Sequence, residues 1–279
     1  MRSVLAGLTL CLTILPIQAQ VNVNAALVNI ADTISDVTEE AMPGVTNIRF
    51  GLGPVISPDY LGADSYGVSI KPIVSFHYRD LLQVDNNNIR INVFGNDGLV
   101  RSNRFKAGPL LKIDSGRDQD DSEDLTGLGD IGTGIELGVF GSYSAGPTRT
   151  RIRWQKDVAS GHSGTKIIGD FRVLVNQSED LVLVGSIFST WADNSYMSSY
   201  FGITPVQSQL SGLIEYDAGP GIKDVGAAFS AYFNFSEHWA FVANTGYTRL
   251  LGDAKNSPLV AERGSANQFS AGGFVVYRF

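Results

Sequence analysis

From Thr46 onward the chain keeps a two-residue rhythm of apolar and polar side chains, and no other feature limits its fold as much. The last run shows it most strictly. Phe269, Ala271, Gly273, Val275, Tyr277 and Phe279 share one face, and Ser270, Gly272, Phe274, Val276 and Arg278 share the other. In 225–235 the row Val225, Ala227, Phe229, Ala231, Phe233, Phe235 opposes Gly226, Ala228, Ser230, Tyr232, Asn234. A helix would repeat its apolar positions every three to four residues, so this period reads as strand. Candidate strands are 46–55, 67–78, 81–95, 101–113, 131–143, 147–157, 166–176, 180–191, 209–216, 223–235, 238–249 and 268–279. Most exceed the ~5–6 residues of a soluble strand and match the ~9–11 that a tilted strand needs to cross a bilayer.

Composition supports the same reading. Charged residues make up 18%, glycine is frequent at 31 residues, and mean hydropathy is +0.04. Soluble domains carry ~25% charge. No stretch after residue 20 holds the ~18 consecutive apolar residues of a membrane helix. A transmembrane barrel falls between these classes, because half of each strand faces lipid and half a polar lumen. A net charge of −7 argues against a nucleic-acid partner, which needs a basic face to displace counterions.

Three segments follow. Residues 1–19 read as a signal peptide: Arg2 precedes the apolar run Val4 to Leu15, Pro16 breaks it, and Ile17-Gln18-Ala19 is an acceptable cleavage context. Residues 20–45 read as a periplasmic leader with weak helical potential, and 46–279 as one barrel. The single cysteine, Cys11, lies in the signal run after Leu10, where a lipid acceptor would follow a small residue. The exported chain would carry no disulfide. The fold expected is an all-β, antiparallel up-and-down transmembrane barrel of 12 strands. Ten is the alternative, since 192–222 and the Asn86-Asn87-Asn88 step are the weakest parts of the strand pattern.

Arg149, Arg151 and Arg153 share one face of their strand, and such a row cannot face hydrocarbon, where each would cost ~2–4 kcal/mol at mid-depth. They are expected to line the lumen, in a ladder with Asp170 and Arg172 of the next strand. Phe76, Tyr78, Tyr143, Trp154, Trp191, Tyr216, Trp239 and Tyr247 stand near strand ends, as interfacial girdles do. The final Tyr277 and Phe279 resemble the C-terminal signal read by the barrel-assembly machinery.

Chemistry-bearing motifs are weak. Gly127-Leu128-Gly129-Asp130-Ile131-Gly132 spells GxGxxG, but acids precede it and a strand follows, so a dinucleotide site lacks its context. The acids at 118–124 lack EF-hand spacing. His77, His162 and His238 lie far apart, with no second ligand at metal spacing. Gly161-His162-Ser163-Gly164 is not a nucleophile elbow. No catalytic, cofactor-binding or metal-binding group is expected.

An ordered set of loop motifs carries more. It runs Ser57-Pro58-Asp59-Tyr60-Leu61-Gly62, Gly116-Arg117-Asp118, Gly127-Leu128-Gly129-Asp130, Tyr200-Phe201-Gly202-Ile203-Thr204-Pro205, Tyr216-Asp217-Ala218-Gly219, Arg249-Leu250-Leu251-Gly252-Asp253-Ala254 and Ser257-Pro258-Leu259-Val260, closing on Tyr277-Arg278-Phe279. From about Phe50 to Phe279 the chain resembles the MltA-interacting protein family (MipA/OmpV). The resemblance implies a non-enzymatic barrel embedded in outer-membrane lipid. It also implies a scaffold that ties a lytic transglycosylase to a murein synthase, with a small-diameter porin-like channel as the alternative. The motif glycines and aspartates fit tight turns and caps, so the first expectation for them is that they hold loops together.

Overall fold

A computed structural model describes residues 46–279. The expectations for 1–19 and 20–45 lie outside the described residues. Fourteen strand segments form one sheet: β1 (Asn47–Pro58), β2 (Tyr66–Tyr78), β3 (Leu82–Asp85), β4 (Asn88–Ile91), β5 (Phe94–Gly95), β6 (Val100–Arg101), β7 (Phe105–Asp114), β8 (Gly134–Ala145), β9 (Thr148–Asp157), β10 (Thr165–Gln177), β11 (Leu181–Ala192), β12 (Gly221–Asn234), β13 (Trp239–Leu250) and β14 (Asn267–Arg278). From β1 to β4 and from β7 to β14 sequential neighbours pair antiparallel, β14 returns to β1, and β4 pairs with β7. The sheet is therefore a closed barrel of twelve strands, with the two-residue β5 and β6 as an appendage beside β7.

The strand number agrees with expectation through two compensating errors. The stretch 81–95 is not one strand but the hairpin β3–β4, turning at Asn86 with φ +46, a left-handed value that Asn tolerates. The stretch 209–216 is not a strand at all. Pro205–Ser211 is a helix opened by a capping box between Thr204 and Gln207 and closed by Gly212 at φ +77. The apolar alternation there was overridden by strong cap chemistry.

The alternation itself has a plain cause. Ile48, Phe50, Leu52, Val68, Ile70, Ile152, Ile187, Phe229 and Val275 all stand exposed on the outer wall, the surface that lipid covers. Trp154, Ile167, Trp191 and Ile222 fall in one row across β9 to β12. Trp239 pairs with Tyr277, and Phe105 with Tyr143, at the opposite end. The two aromatic levels bracket the apolar belt. Tyr216 is the exception among the expected girdle residues: it lies off the wall, and its hydroxyl donates to the Asp253 carbonyl at 3.2 Å.

Inside, one wall is apolar and one charged. Val182, Val184, Tyr232, Val242, Phe274 and Val276 pack together on the inner side of β11 to β14. Lys112, Glu136, Arg151, Arg153, Lys166, Asp170 and Arg172 are buried on the inner side of β7 to β10.

Candidate functional site

The two barrel ends differ. At one end lie the start of β1, the end of β14 and short turns such as Gly146-Pro147 and 178–180. At the other lie the long connections 115–133, 193–220 and 251–266. Barrels of this kind keep short turns on the periplasmic side, so the long loops face outward.

Those loops fold over the mouth. Helices α1 (Asn194–Phe201), α2 (Pro205–Ser211), α3 (Gly252–Asn256) and α4 (Pro258–Arg263) form the cap. Leu61, Ile131, Tyr196, Met197, Phe201, Leu250, Ala254 and Val260 bury one apolar cluster beneath it. Tyr60, Leu125, Leu128, Ile203, Leu213 and Leu259 bury a second. The sequence motifs converge here. Asp59 closes its loop by accepting from the Ser65 hydroxyl at 2.5 Å. Tyr60 donates to the Arg263 carbonyl at 3.1 Å, and burial together with nearby Asp124 pushes its phenol well above its ordinary range. Gly62, at φ +104, would bring a Cβ within 2.6 Å of Val260. Gly127 and Gly129 also take left-handed turns, and Asp130 accepts from the Gln119 amide at 3.0 Å. Gly252 turns at φ +51, Asp253 accepts from the Gly219 amide at 2.8 Å, and Ser257 donates to the Phe201 carbonyl at 2.7 Å. Pro258 opens α4. These motif residues belong to one loop assembly.

Below the cap sits a polar cluster that the sequence reading missed. Lys166 Nζ lies 2.7 Å from Glu136 Oε1 and 3.3 Å from Asp114 Oδ2. The Gly164 amide donates to His162 Nδ1 at 3.0 Å, which places the ring proton on Nε2, from where it donates to Glu136 Oε1 at 2.8 Å. The Tyr200 hydroxyl donates to Asp114 Oδ1 at 3.0 Å. The Tyr196 ring stacks on Tyr200 at 4.6 Å and lies 5.0 Å from Lys166 Nζ. Burial, and then Asp114, hold both phenols far above their usual values, so both stay neutral. Asp114, Glu136 and His162 offer ligand atoms within 4.8 Å of one another. They do not suit a metal ion. The Lys166 ammonium stands between the carboxylates, and both histidine nitrogens are engaged within the protein. The arrangement is an ion-pair latch joining barrel wall to cap. Strand parity carried the signal: Lys166 shares its row with Asp170 and Arg172.

The expected lumen residues sit lower. Asp170 is the register partner of Arg151, whose Nε lies 2.9 Å from Oδ1. Arg172 Nε lies 3.2 Å from Asp170 Oδ2, and Arg153 approaches Oδ1 at 3.6 Å. Arg149 is half-buried and donates through Nε to the Ser144 hydroxyl at 3.2 Å. Tyr277 and Phe279 meet edge to face, with centroids 4.8 Å apart, on the outer wall at the short-turn end.

A closed antiparallel barrel with an apolar belt, aromatic rims and a charged interior defines an outer-membrane β-barrel protein. The family model of the MltA-interacting protein MipA matches residues 50–279, and the chain belongs to that family. It is similar to the outer membrane protein Omp26La of Vibrio anguillarum, 25% identical over 76% of this chain and 79% of that protein. It is also similar to the outer membrane protein OmpV of Vibrio cholerae, 24% identical over 77% and 79% respectively. Among solved structures, the KdgM porin aligns with 83% of this chain and 99% of its own, at TM-score 0.44 and 7% identity. The NanC porin aligns with 84% and 99%, at TM-score 0.44 and 11% identity.

Proposed function

We propose that this barrel is a non-enzymatic outer-membrane anchor that ties murein-remodelling enzymes to the membrane through its short-turn end. The observation that supports this most is the cap: the outer mouth lies under two buried apolar clusters, and the lumenal wall below it carries buried ion pairs along β8 to β10. A pore for free diffusion needs the reverse, a wide wet passage. The family description adds a lytic transglycosylase, MltA, as the partner of its namesake. The test is retention. The full barrel, immobilised in detergent, is expected to hold back a lytic transglycosylase and a murein synthase from periplasmic extract. Exchanging the turns at 178–180 and 235–238 for those of an unrelated barrel should abolish retention. No retention by the intact barrel would refute the reading.

A second reading, an anion-selective small channel, draws on the row Arg149, Arg151, Arg153. Steady conductance steps in planar bilayers that vanish when these are replaced by glutamine would promote it.

A further inference from the structure

The outward rows of the barrel wall carry almost no charge. Among the described residues of β1 to β4 and β7 to β14, those rows hold two ionised side chains, Lys156 and Arg249. Both are cations, and both stand at the long-loop end, one residue before β9 and β13 finish. The other charged side chains of these strands take the lumenal parity. An outward cation is tolerated only where the hydrocarbon ends, because its penalty falls away towards the interface. We propose that Arg249 and the aromatic side chains around it form a seat for one phosphate-bearing lipid headgroup of the outer leaflet.

The seat is built across β13, β14 and β2. Arg249 is the register partner of Asn267, and its Nη1 donates to Asn267 Oδ1 at 2.7 Å. The Tyr247 hydroxyl donates to the same oxygen at 2.8 Å. Tyr247 is in turn the register partner of Phe269, with ring centroids 4.9 Å apart. The Phe269 amide donates to the Tyr66 hydroxyl oxygen at 3.2 Å, which leaves the Tyr66 proton for a ligand. Asn267 is a neutral acceptor, so it orients the guanidinium without cancelling its charge. No carboxylate pairs with Arg249 among the described residues. A guanidinium held at one corner presents its remaining N–H edge as a fork that matches phosphate oxygens. Phe269 and Tyr66, 57% and 41% exposed, offer apolar bodies to the chains below that head. Aromatic side chains with a polar tip suit this level, where one end is apolar and the other wet. Lys156, apart on β9, adds a general attraction to the same leaflet. The proposal does not rest on the anchoring role and concerns the opposite end of the barrel.

Native mass spectrometry of the full-length barrel in detergent tests it, with diphosphorylated lipid A as the probe and its dephosphorylated form as the comparison. One tightly retained lipid A per barrel is expected. The dephosphorylated form should be retained about tenfold less, the usual worth of a charge-assisted contact. Arg249→Gln should cut lipid A retention by about the same factor, and Arg249→Lys should restore part of it, as a point charge without the fork. Tyr66→Phe, which keeps the ring, should cost less than Arg249→Gln. Val139→Ala, on the exposed face of β8, should leave retention unchanged. Heat-modifiable gel mobility confirms that each variant is folded. Calorimetric titration with inorganic phosphate should show no saturable site, because a free ion gains nothing from the aromatic side chains. Wild-type retention in folded Arg249→Gln, or equal retention of the dephosphorylated form, would overturn the proposal. So would saturable phosphate binding that Arg249→Gln abolishes, which would mark a free-anion site in place of a lipid seat.

Discussion

The two mouths of this barrel are ordered on different principles. The outer mouth is covered by loops that have built their own core, from Tyr60, Leu125, Tyr196, Phe201 and Leu259, each nearly inaccessible to solvent. The short-turn mouth has no such core among the described residues. Its connections include short steps such as Gly146-Pro147 and 178–180 beside the longer 92–104, and aromatic pairs stand on the wall there, Trp239 with Tyr277 at 4.9 Å and Phe94 with Phe105 at 5.8 Å. Loop length here does not signal openness: the longest connections make the tightest closure. The contrast also separates what the family pattern encodes from what a partner would touch. The loop motifs, from Asp59 to Pro258, sit at the capped end, so they report on cap geometry. Contacts made in the periplasm must come from residues outside that set.

The sharpest way to break this contrast is Glu136→Ala. It leaves the Lys166 ammonium and the His162 N–H buried without their main acceptor. Removing one partner of a buried pair costs about 3–5 kcal/mol. Urea unfolding in detergent should show the loss, and hydrogen exchange should place it first in 193–220 and 251–266. Equal deprotection at 178–180 would mean that cap and barrel unfold as one unit. Phe229→Arg, on the exposed wall, belongs to neither mouth. It should cost about 2–4 kcal/mol when the barrel is folded into liposomes, with both mouths deprotected together. A third test compares glycines. Gly62 and Gly146 both take positive φ, but a Cβ on Gly62 would meet Val260 at 2.6 Å, whereas one on Gly146 meets nothing within 4 Å. Gly146→Ala should carry only the backbone strain, and Gly62→Ala about 1–3 kcal/mol more from overpacking. Equal unfolding midpoints would show that the cap yields as readily as the turn.

The wall was legible in the sequence because lipid on one side and charge on the other impose a period of two on every strand. Ile152 and Trp154 face out while Arg151 and Arg153 face in, and the order of the letters alone carries that. The cap was legible only as a list of motifs. Nothing local to Tyr60 indicates that its hydroxyl meets residue 263, or that Gly62 lies against Val260, because those contacts span two hundred residues of chain. The errors at 81–95 and 209–216 share a cause. Turn and cap chemistry at Asn86 and Thr204 outweighed an alternation that short apolar runs produce by chance. The latch lay in plain parity, with Lys166 two steps from Ile168 and four from Asp170, yet its partner His162 sits in a loop that periodicity cannot place.

The smallest effect expected is also the one that titrates. Asp193 caps α1 by accepting from the Tyr196 amide at 3.0 Å. Burial alone would raise its carboxyl, but the amide of Tyr196 and the backbone and hydroxyl of Thr165 outweigh that and hold it below the ordinary carboxylate value. A group whose value is depressed on folding stabilises fully above its unfolded value, near pH 3.9, and loses that contribution as acid carries the pH down through the folded one. Asp193→Ala should therefore cost about 0.5–2 kcal/mol at neutral pH, the usual loss of an N-cap. The gap between variant and wild type should close as the pH falls below about 4. Because Tyr196 packs against His162 with centroids 4.8 Å apart, the loss should register in cap exchange before it registers in the wall. A gap that stays constant from pH 7 to pH 3 would assign the effect to packing around α1, leaving the charge on Asp193 without a part in holding the cap.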